Sequence, residues 1–300
     1  MSVTSVIAAR RRPSPALAGI GLMLLATLLF TIMDTIGKAL TATYPVPQVV
    51  WARYFFQFAL MLLLIPRVGV AGLLRTRRPA LHLGRGLLLA AATFFFITAI
   101  SMVPLADAYT ISFSAPLMVT VLSIPMLGEQ VGWRRWSAVL VGFAGVLIAL
   151  GPMSGSVQWA LLLPLVTATC FAFYQVLTRI GSYAADETTV MMLFYTAMVG
   201  AAVATLIVPF FWQPLALADL GWMIAIGAIA VTGHLSLIKA LTIAPVSLVA
   251  PFVYSQFIWA IAIGYVWFGD VPGIWMLIGC AVIISSGLYV FYREALLGKK

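Results

Sequence analysis

Three ionisable residues in long apolar runs have the types and spacing to bind a charged solute. Asp34 and Lys38 are four residues apart on one predicted helix, so their side chains share a face. Arg53 lies about one turn inside the next apolar run. Together they predict an outer gate or an anchor for a carboxylate-bearing substrate; the alternative is a structural ion pair, with Lys38 reaching the interface. Asp34, the one acidic residue well inside an apolar run, is also the candidate carrier of a coupling proton.

A second set of ionisable residues lies in an apolar run nearer the C-terminus. His234 is midway along this run, and Lys239 follows five residues later, near the predicted inner end. Because histidine changes charge near neutral pH, His234 is a candidate to change its protonation state when the protein functions. The alternatives are a neutral, hydrogen-bonded histidine and a lysine that only reaches the inner interface.

The composition shows what kind of molecule must position these residues. Of the 300 residues, 63% are hydrophobic and only 8% are charged, and the mean hydropathy is +1.11. An ordinary soluble domain is about 25% charged, because its surface faces water. The chain is therefore predicted to be an all-α, polytopic membrane protein.

The apolar runs have the length of membrane-spanning helices. About 20 mostly apolar residues are needed to cross the hydrocarbon core as a helix. The sequence predicts ten spans, at residues 16–36, 49–66, 84–103, 106–127, 134–151, 157–178, 190–211, 222–240, 244–268 and 273–292.

The distribution of cations predicts the orientation of these spans. Lys and Arg concentrate on the cytoplasmic side of membrane proteins. With the N-terminus inside, fourteen of the seventeen cations lie on the inner side, and Lys38 is at an outer end. Both termini are therefore predicted to be cytoplasmic, with the protein in the bacterial inner (plasma) membrane. The inner cations are Arg10, Arg11, Arg12, Arg67, Arg75, Arg77, Arg78, Arg85, Arg134, Arg135, Arg179, Arg293, Lys299 and Lys300.

The chain repeats itself with an offset of 141 residues. Matching pairs include Phe30 with Phe171, Lys38 with Arg179, Tyr54 with Tyr195, Pro104 with Pro245 and Gly128-Glu129 with Gly269-Asp270. Each copy holds five spans, an odd number, so the second copy enters the membrane from the opposite side. We expect tails at 1–15 and 294–300, a first repeat at 16–151 and an inverted second repeat at 152–293. Inverted repeats build many secondary transporters, which bind substrate near the midplane.

Prolines interrupt the fourth and ninth spans. Pro116 and Pro125 lie in span four, and Pro251 lies early in span nine. Because proline removes a helix hydrogen bond, these residues predict kinks. The kinks indicate either a transport site or packing, and the match between the repeats is loose because Pro116 corresponds to Phe257.

Four segments carry a family resemblance, namely FTIMDTIGKAL, MLGEQVGWRRW, ALTIAPVSLVAPF and WFGDVPGIW. With the two five-span repeats they resemble the drug/metabolite transporter superfamily, EamA type, over residues 16–293. The segments LGRGLLLAAATFFFITAISMVPLADA and MMLFYTAMVGA resemble carriers of amino acids, S-adenosylmethionine and riboflavin. The resemblance implies a ten-helix carrier whose central cavity is lined mostly by spans one, three, four, six, eight and nine.

Polar and aromatic residues on these lining spans complete the predicted binding site. Aromatic rings can stack on a ring-bearing substrate, although Tyr and Trp near helix ends also form interfacial belts. The predicted substrate-binding residues are Tyr109, Ser112, Tyr174, Gln175, His234, Tyr254, Gln256 and Trp259. The gate or coupling residues are Asp34, Lys38, Arg53 and Lys239.

These observations predict a secondary carrier and not an enzyme. No phosphate-binding loop or HExxH motif is present, and neither a cofactor nor a metal is expected. We expect export of neutral, especially aromatic, amino acids and related metabolites; the alternative is uptake of riboflavin or S-adenosylmethionine. The partners are a small-molecule substrate, the lipid bilayer and a coupling proton, with no nucleic acid. One chain contains both repeats, so a monomer suffices, although a dimer is compatible.

Overall fold

The structure, a computed structural model, describes residues 15–63, 69, 76–128, 132–151, 158–182 and 188–297. Throughout these ranges the ordered elements are helices. The first repeat contains six: α1 (Pro15–Leu40), α2 (Val46–Leu62), α3 (Pro79–Ile100), α4 (Leu105–Ser112), α5 (Ala115–Leu127) and α6 (Trp133–Leu150).

The second repeat follows the same order of elements. A 3-10 turn (Gln158–Leu161) leads into α7 (Leu162–Ser182), and α8 (Thr189–Ile207) ends in a 3-10 turn (Val208–Phe211). The remaining elements are α9 (Leu217–Ile243), α10 (Val246–Val249), a 3-10 segment (Ala250–Tyr254), α11 (Ser255–Phe268) and α12 (Ile274–Leu297).

The helix ends reproduce the sequence offset of 141 residues. The fifth helix of the first repeat ends at Gly128 and its counterpart ends at Gly269, with φ of 68° and 71°. Glycine adopts this left-handed conformation without steric cost, so it can end a helix where other residues are strained. The same residue type therefore ends the same helix in both copies.

Spans four and nine are both broken, and the breaks correspond more closely than the prolines suggested. In the first repeat, Phe113 and Ser114 separate α4 from α5, and Pro116 lies in the first turn of α5. In the second repeat, the 3-10 segment that contains Pro251 ends at Tyr254, the counterpart of Phe113. Pro125 remains inside α5 without a break. The two prolines thus act on opposite sides of the same break.

Helices of the two repeats interleave in matching pairs. α1 packs against α9, and α3 packs against α7. These two contacts are equivalent, because α7 is the counterpart of α1 and α9 is the counterpart of α3. α2 packs against α8 and α6 against α12, two pairs in which a helix meets its own counterpart. The α6–α12 contact is close because Gly145 lies against the backbone of Gly279 and Ser286 Oγ donates a hydrogen bond to Ala138 O. Small residues permit this close approach of two helices in a membrane.

Side-chain contacts show how the helices run through the bundle. Lys38, near the end of α1, donates a hydrogen bond to Val103 O, just beyond the end of α3. Arg85, near the start of α3, bonds to Thr178, near the end of α7. α7 therefore runs antiparallel to α1 and α3. We call the end of the bundle near Lys38 the outer end and the end near Arg85 the inner end.

The described residues form helices, as the sequence predicts, and these helices have the length and composition of membrane spans. Among the described residues, eight helical stretches are long and apolar enough to cross a membrane, and Ile274–Val290 is a shorter apolar helix. α2, with 17 residues, completes the set of five in its repeat. The count of ten spans stays a prediction.

One residue of the sequence analysis needs a different description, and several lie outside the described residues. Arg85, listed with the inner cations, lies inside α3, which begins at Pro79, and it is buried. Arg10, Arg11, Arg12, Arg67, Arg75, Glu129, Lys299 and Lys300 lie outside the described residues, as does the side chain of Arg293.

Candidate substrate site

A polar stripe on α1 forms one wall of the candidate site. Thr27, Thr31, Asp34 and Lys38 are spaced three or four residues apart, so they lie on one face of the helix. Thr27, Thr31 and Asp34 are buried. Because unpaired polar groups are costly in an apolar bundle, this face must meet polar partners on other helices.

The partners meet in what we call the central cluster: Asp34, Arg53, Tyr109 and Gln256. Tyr109 donates a hydrogen bond from its hydroxyl to Asp34 Oδ2. Gln256 Nε2 in turn donates to the Tyr109 hydroxyl oxygen at 3.2 Å. The nearest atoms of Arg53 and Asp34, Nη1 and Oδ1, are 3.8 Å apart. Residues from α1, α2, α4 and α11 thus converge, and Gln256 brings in the second repeat.

The charges of the central cluster are withdrawn from solvent but are not fully paired. The side chains of Arg53 and Asp34 are 11% and 8% exposed. Within the described ranges, Arg53 Nε is buried without a hydrogen-bond partner, and the distance to Asp34 exceeds that of a hydrogen bond. A charged group inside a membrane costs about 2.5–3.5 kcal/mol on insertion scales, and such groups usually mark a functional site.

A second polar contact crosses between the repeats about two turns along α1. Trp259 Nε1 donates to Thr27 Oγ1 at 3.3 Å, and the hydroxyls of Thr27 and Ser255 are 2.8 Å apart. Trp259 and Ser255 lie on α11, so α11 meets the α1 stripe directly at Thr27, while Gln256 of the same helix reaches Asp34 through Tyr109. The broken ninth span therefore faces the candidate site.

Aromatic rings line the other side of the central cluster. The Tyr109 ring lies between Phe96 and Phe113, with centroid distances of 5.1 and 6.2 Å. Phe113 meets Tyr254 edge to face at 5.2 Å, which joins the two helix breaks. Ser112 Oγ, beside the first break, is buried without a hydrogen-bond partner among the described residues.

His234 lies beside the central cluster, whereas Lys239 does not. The His234 ring contacts Phe30 on α1 edge to face at 4.9 Å, and its Nδ1 is 2.7 Å from Ala230 O. His234 also lies within electrostatic range of Arg53. Lys239 is exposed near the inner end of α9.

Tyr174 and Gln175 lie apart from the hydrogen bonds of the central cluster. Tyr174 belongs to a group near the inner end that sequence reasoning missed, which centres on Arg85. Arg85 Nε donates to Thr178 Oγ1 at 2.9 Å, and its guanidinium lies 5.1 Å from the centroid of the Tyr174 ring. Gln175 is half-buried on α7.

His82 completes this inner group. Its Nδ1 is 3.3 Å from Arg85 Nη1, and its ring stacks on Tyr195 at 4.7 Å. The spacing of three residues between His82 and Arg85 places both on one helix face, and this spacing was the sequence signal for the inner group. It was overlooked because the preceding arginines made the segment resemble a loop.

Three contacts between the repeats close the outer end, and we call them the outer clamp. Lys38 Nζ pairs with Asp270 Oδ2 at 2.8 Å, and not with Asp34 on its own helix. The Tyr44 hydroxyl donates to Asp219 Oδ2 at 2.7 Å. The side chain of Gln48 exchanges two hydrogen bonds of 3.0 Å with the backbone of Gln213. Lys38 also packs over the Phe268 ring, with its Nζ 4.7 Å from the ring centroid.

Comparison with known proteins identifies the family of this arrangement. The model of the EamA-like transporter family matches the chain twice, at residues 17–151 and 158–292. The chain belongs to this family. The two matches begin 141 residues apart, the offset found within the sequence and between the helices.

Relatives in this family are named as transporters of different solutes. A protein of Rickettsia bellii named as an S-adenosylmethionine uptake transporter is 29% identical, over 92% of this chain and 94% of its own length. A riboflavin transporter of Vibrio cholerae is 27% identical, over 91% and 92%. The pseudopaline exporter CntI of Pseudomonas aeruginosa is 29% identical, over 90% and 94%.

A solved structure supports the fold. It is 19% identical in sequence, with a TM-score of 0.59, and the match covers 94% of this chain and 98% of the other. Membership of the EamA family makes this protein a transporter and not an enzyme. Among the described residues, no group of three His, Cys, Asp or Glu is placed to hold a metal ion.

Proposed function

We propose that this EamA-family protein is a secondary carrier that binds a small metabolite at the central cluster and releases it by alternating access. The observation that carries the proposal is the buried, incompletely paired Asp34–Arg53 centre, to which Gln256 connects the second repeat. Ionisable groups at such depth persist when they serve a substrate or an ion. In this proposal Tyr109, Gln256 and Trp259 bind substrate, and His234 lines the cavity.

The repeat supplies the mechanism of this proposal. α7 is antiparallel to its counterpart α1, and both spans four and nine break at matching positions, as expected of an inverted repeat. Two copies of one fold in opposite orientations can exchange conformations, which opens the site to either face. The outer clamp is the closed gate of one such state, with Lys38 and Asp270 as its strongest contact.

S-adenosylmethionine is the first substrate candidate, and its uptake is the first direction to test. The support is that similar proteins over nine-tenths of the chain carry this name. The opposite charges and aromatic rings of the site suit a solute that combines an amino-acid group with a ring system. Riboflavin is the alternative with the same kind of support.

Export of amino acids is the second candidate function. The Asp34–Arg53 pair suits an amino acid as well as S-adenosylmethionine, and a relative named as an exporter shows that the family is not restricted to uptake. Asp34 would carry the coupling proton in either direction. A single chain contains both repeats, so a monomer can perform the whole cycle.

The bacterial inner membrane, with both termini in the cytoplasm, is the proposed location. The cation distribution supports this orientation. Arg134 is exposed at the start of α6, at the inner end of the bundle, as the orientation requires.

Counterflow in proteoliposomes tests the proposal. Vesicles are loaded with unlabelled S-adenosylmethionine, riboflavin or a mixture of neutral amino acids, and the entry of the labelled solute is measured. Accumulation of one of these solutes above protein-free vesicles, unaltered by Arg134→Gln, is the expected result. If purified, folded protein exchanges none of them, the proposed function is wrong.

A further inference from the structure

The central cluster presents two opposite charges side by side, each with unused binding capacity. Asp34 Oδ2 is engaged by Tyr109, but Oδ1 has Arg53 only at 3.8 Å. Within the described part of the chain, Arg53 Nε is buried without a hydrogen-bond partner, although a guanidinium carries five N–H donors. A carboxylate acceptor and a cationic donor fork are therefore both available at one point.

The spacing of these charges matches one chemical group. In an α-amino acid the ammonium nitrogen and the nearer carboxylate oxygen lie about 3 Å apart, from standard backbone dimensions. Arg53 Nη1 and Asp34 Oδ1 are 3.8 Å apart. A zwitterion can lie alongside the pair, with its carboxylate on Arg53 and its ammonium on Asp34, without separating the two side chains.

We propose that the Asp34–Arg53 pair is the receptor for the zwitterionic head group of an α-amino acid, and that this group defines the substrate class of the carrier. The inference rests on the proposed function and deepens it. The four charges form a closed, alternating arrangement, so the head group and its receptor together carry no net charge. An arginine fork binds a carboxylate through two parallel hydrogen bonds, a geometry that lysine does not provide.

Neighbouring residues position this receptor and place aromatic rings beside it. Tyr109 holds Asp34 and is itself held by Gln256 from the second repeat. The engagement of one carboxylate oxygen leaves Oδ1 directed to the ligand. The substrate's remaining part then extends towards the rings of Phe96 and Phe113, which fit an apolar or aromatic group. Riboflavin, which has no ammonium or α-carboxylate, would leave both charges unmatched.

The test removes the head group from the ligand and leaves the protein unchanged. Counterflow of labelled S-adenosylmethionine is measured in the presence of S-adenosylhomocysteine, which keeps the amino-acid group, or 5′-methylthioadenosine, which keeps the nucleoside thioether without it. We expect the headless competitor to be weaker by about tenfold or more, since two charge-assisted contacts are lost. If an amino acid is the transported solute, its methyl ester and N-acetyl derivative replace this pair of competitors.

Each outcome separates the inference from the proposed function. Equal competition by the two compounds, or exchange of riboflavin alone, overturns the zwitterion receptor and leaves a functioning carrier. Exchange of no solute overturns the proposed function and the receptor with it. Preference for the head-bearing compound supports both.

Variants assign each charge of the head group to one residue. Arg53→Gln should weaken competition by S-adenosylmethionine about tenfold or more but leave decarboxylated S-adenosylmethionine, which has no carboxylate, within about twofold. Equal losses for the two compounds would overturn the assignment to Arg53. Because a lone buried Asp34 can impair folding, Arg53→Lys, which keeps the charge and loses the fork, is the second variant, and the same selective loss is expected. Arg134→Gln removes an exposed cation at the inner end and serves as the matched control.

Discussion

Neutralisation of the outer clamp should open the outer end of the carrier. The change is Asp270→Asn, which removes the charge that pairs with Lys38 across the two repeats. Lys38 keeps Val103 O and the Phe268 ring, and Asp107 lies within its electrostatic range, so no isolated buried charge is created. The expected effect is the loss of one contact that exists only while the outer end is closed.

The structure sets the size of this effect. Exposed ion pairs contribute about 0.2–1 kcal/mol, and hydrogen bonds to charged groups contribute about 1.5–3 kcal/mol. The Lys38 and Asp270 side chains are 15% and 24% exposed, and their charged atoms are 2.8 Å apart, so the pair lies between these cases. A stabilisation of about 1–2 kcal/mol shifts the ratio of closed to open molecules about five- to thirtyfold.

Thiol labelling from outside measures this shift. Thr31→Cys places a thiol of similar size on the buried α1 stripe, between Asp34 and Thr27, in a chain whose native Cys170 and Cys280 are replaced. The rate of reaction with a membrane-impermeant maleimide reports opening, since Thr31 is fully buried in the closed state.

We expect Asp270→Asn to raise the labelling rate by about five- to thirtyfold. Arg134→Gln, at the opposite end, should leave it unchanged. Lys38→Gln should act through the same contact, so the double variant should label no faster than the more affected single variant. A labelling rate for Asp270→Asn within twofold of the parent chain would refute the role of this pair as a closed gate.

Three further predictions concern the site and the packing. Tyr109→Phe keeps the ring but loses the bonds to Asp34 and Gln256; it should raise the half-saturation concentration of transport about tenfold, and an unchanged value would exclude Tyr109 from the site. Gly279→Ala introduces a methyl group against the backbone of α6 and should destabilise the protein by about 1–3 kcal/mol, seen as a lower unfolding temperature in detergent; equal stability would contradict the described α6–α12 contact. Arg85→Met removes the guanidinium that donates to Thr178 and should lower the unfolding temperature, whereas the same change at exposed Arg134 should not.

The repeat explains why much of the fold was predictable from the sequence. The offset of 141 residues, first seen in pairs such as Gly128 and Gly269, recurs in the helix ends and in the two family matches. Helical length and hydropathy depend on local composition, so the spans were placed to within a few residues. The largest differences are five residues, at the starts of α3 and α9 and at the end of α12.

The pairing of side chains was less predictable, because it depends on contacts between distant parts of the chain. Asp34 and Lys38 share a helix face, and the sequence indicated an ion pair among Asp34, Lys38 and Arg53. In the structure, Lys38 pairs with Asp270, which is 232 residues away, and Asp34 contacts Tyr109 and Arg53. Periodicity identifies the face of a helix, but only the packing of α1 against α4, α9 and α11 decides what that face meets.

Cross-linking of the outer clamp tests alternating access most directly. In a chain without native cysteines, Lys38→Cys and Asp270→Cys are joined by a short, thiol-cleavable cross-linker, and counterflow in proteoliposomes is measured before and after cleavage. Alternating access predicts that the cross-linked protein still binds substrate from the inner side, exchanges none across the membrane, and recovers on cleavage, while each single-cysteine variant is unaffected by the reagent. Full exchange by the completely cross-linked protein would contradict a carrier whose outer end must open at this pair.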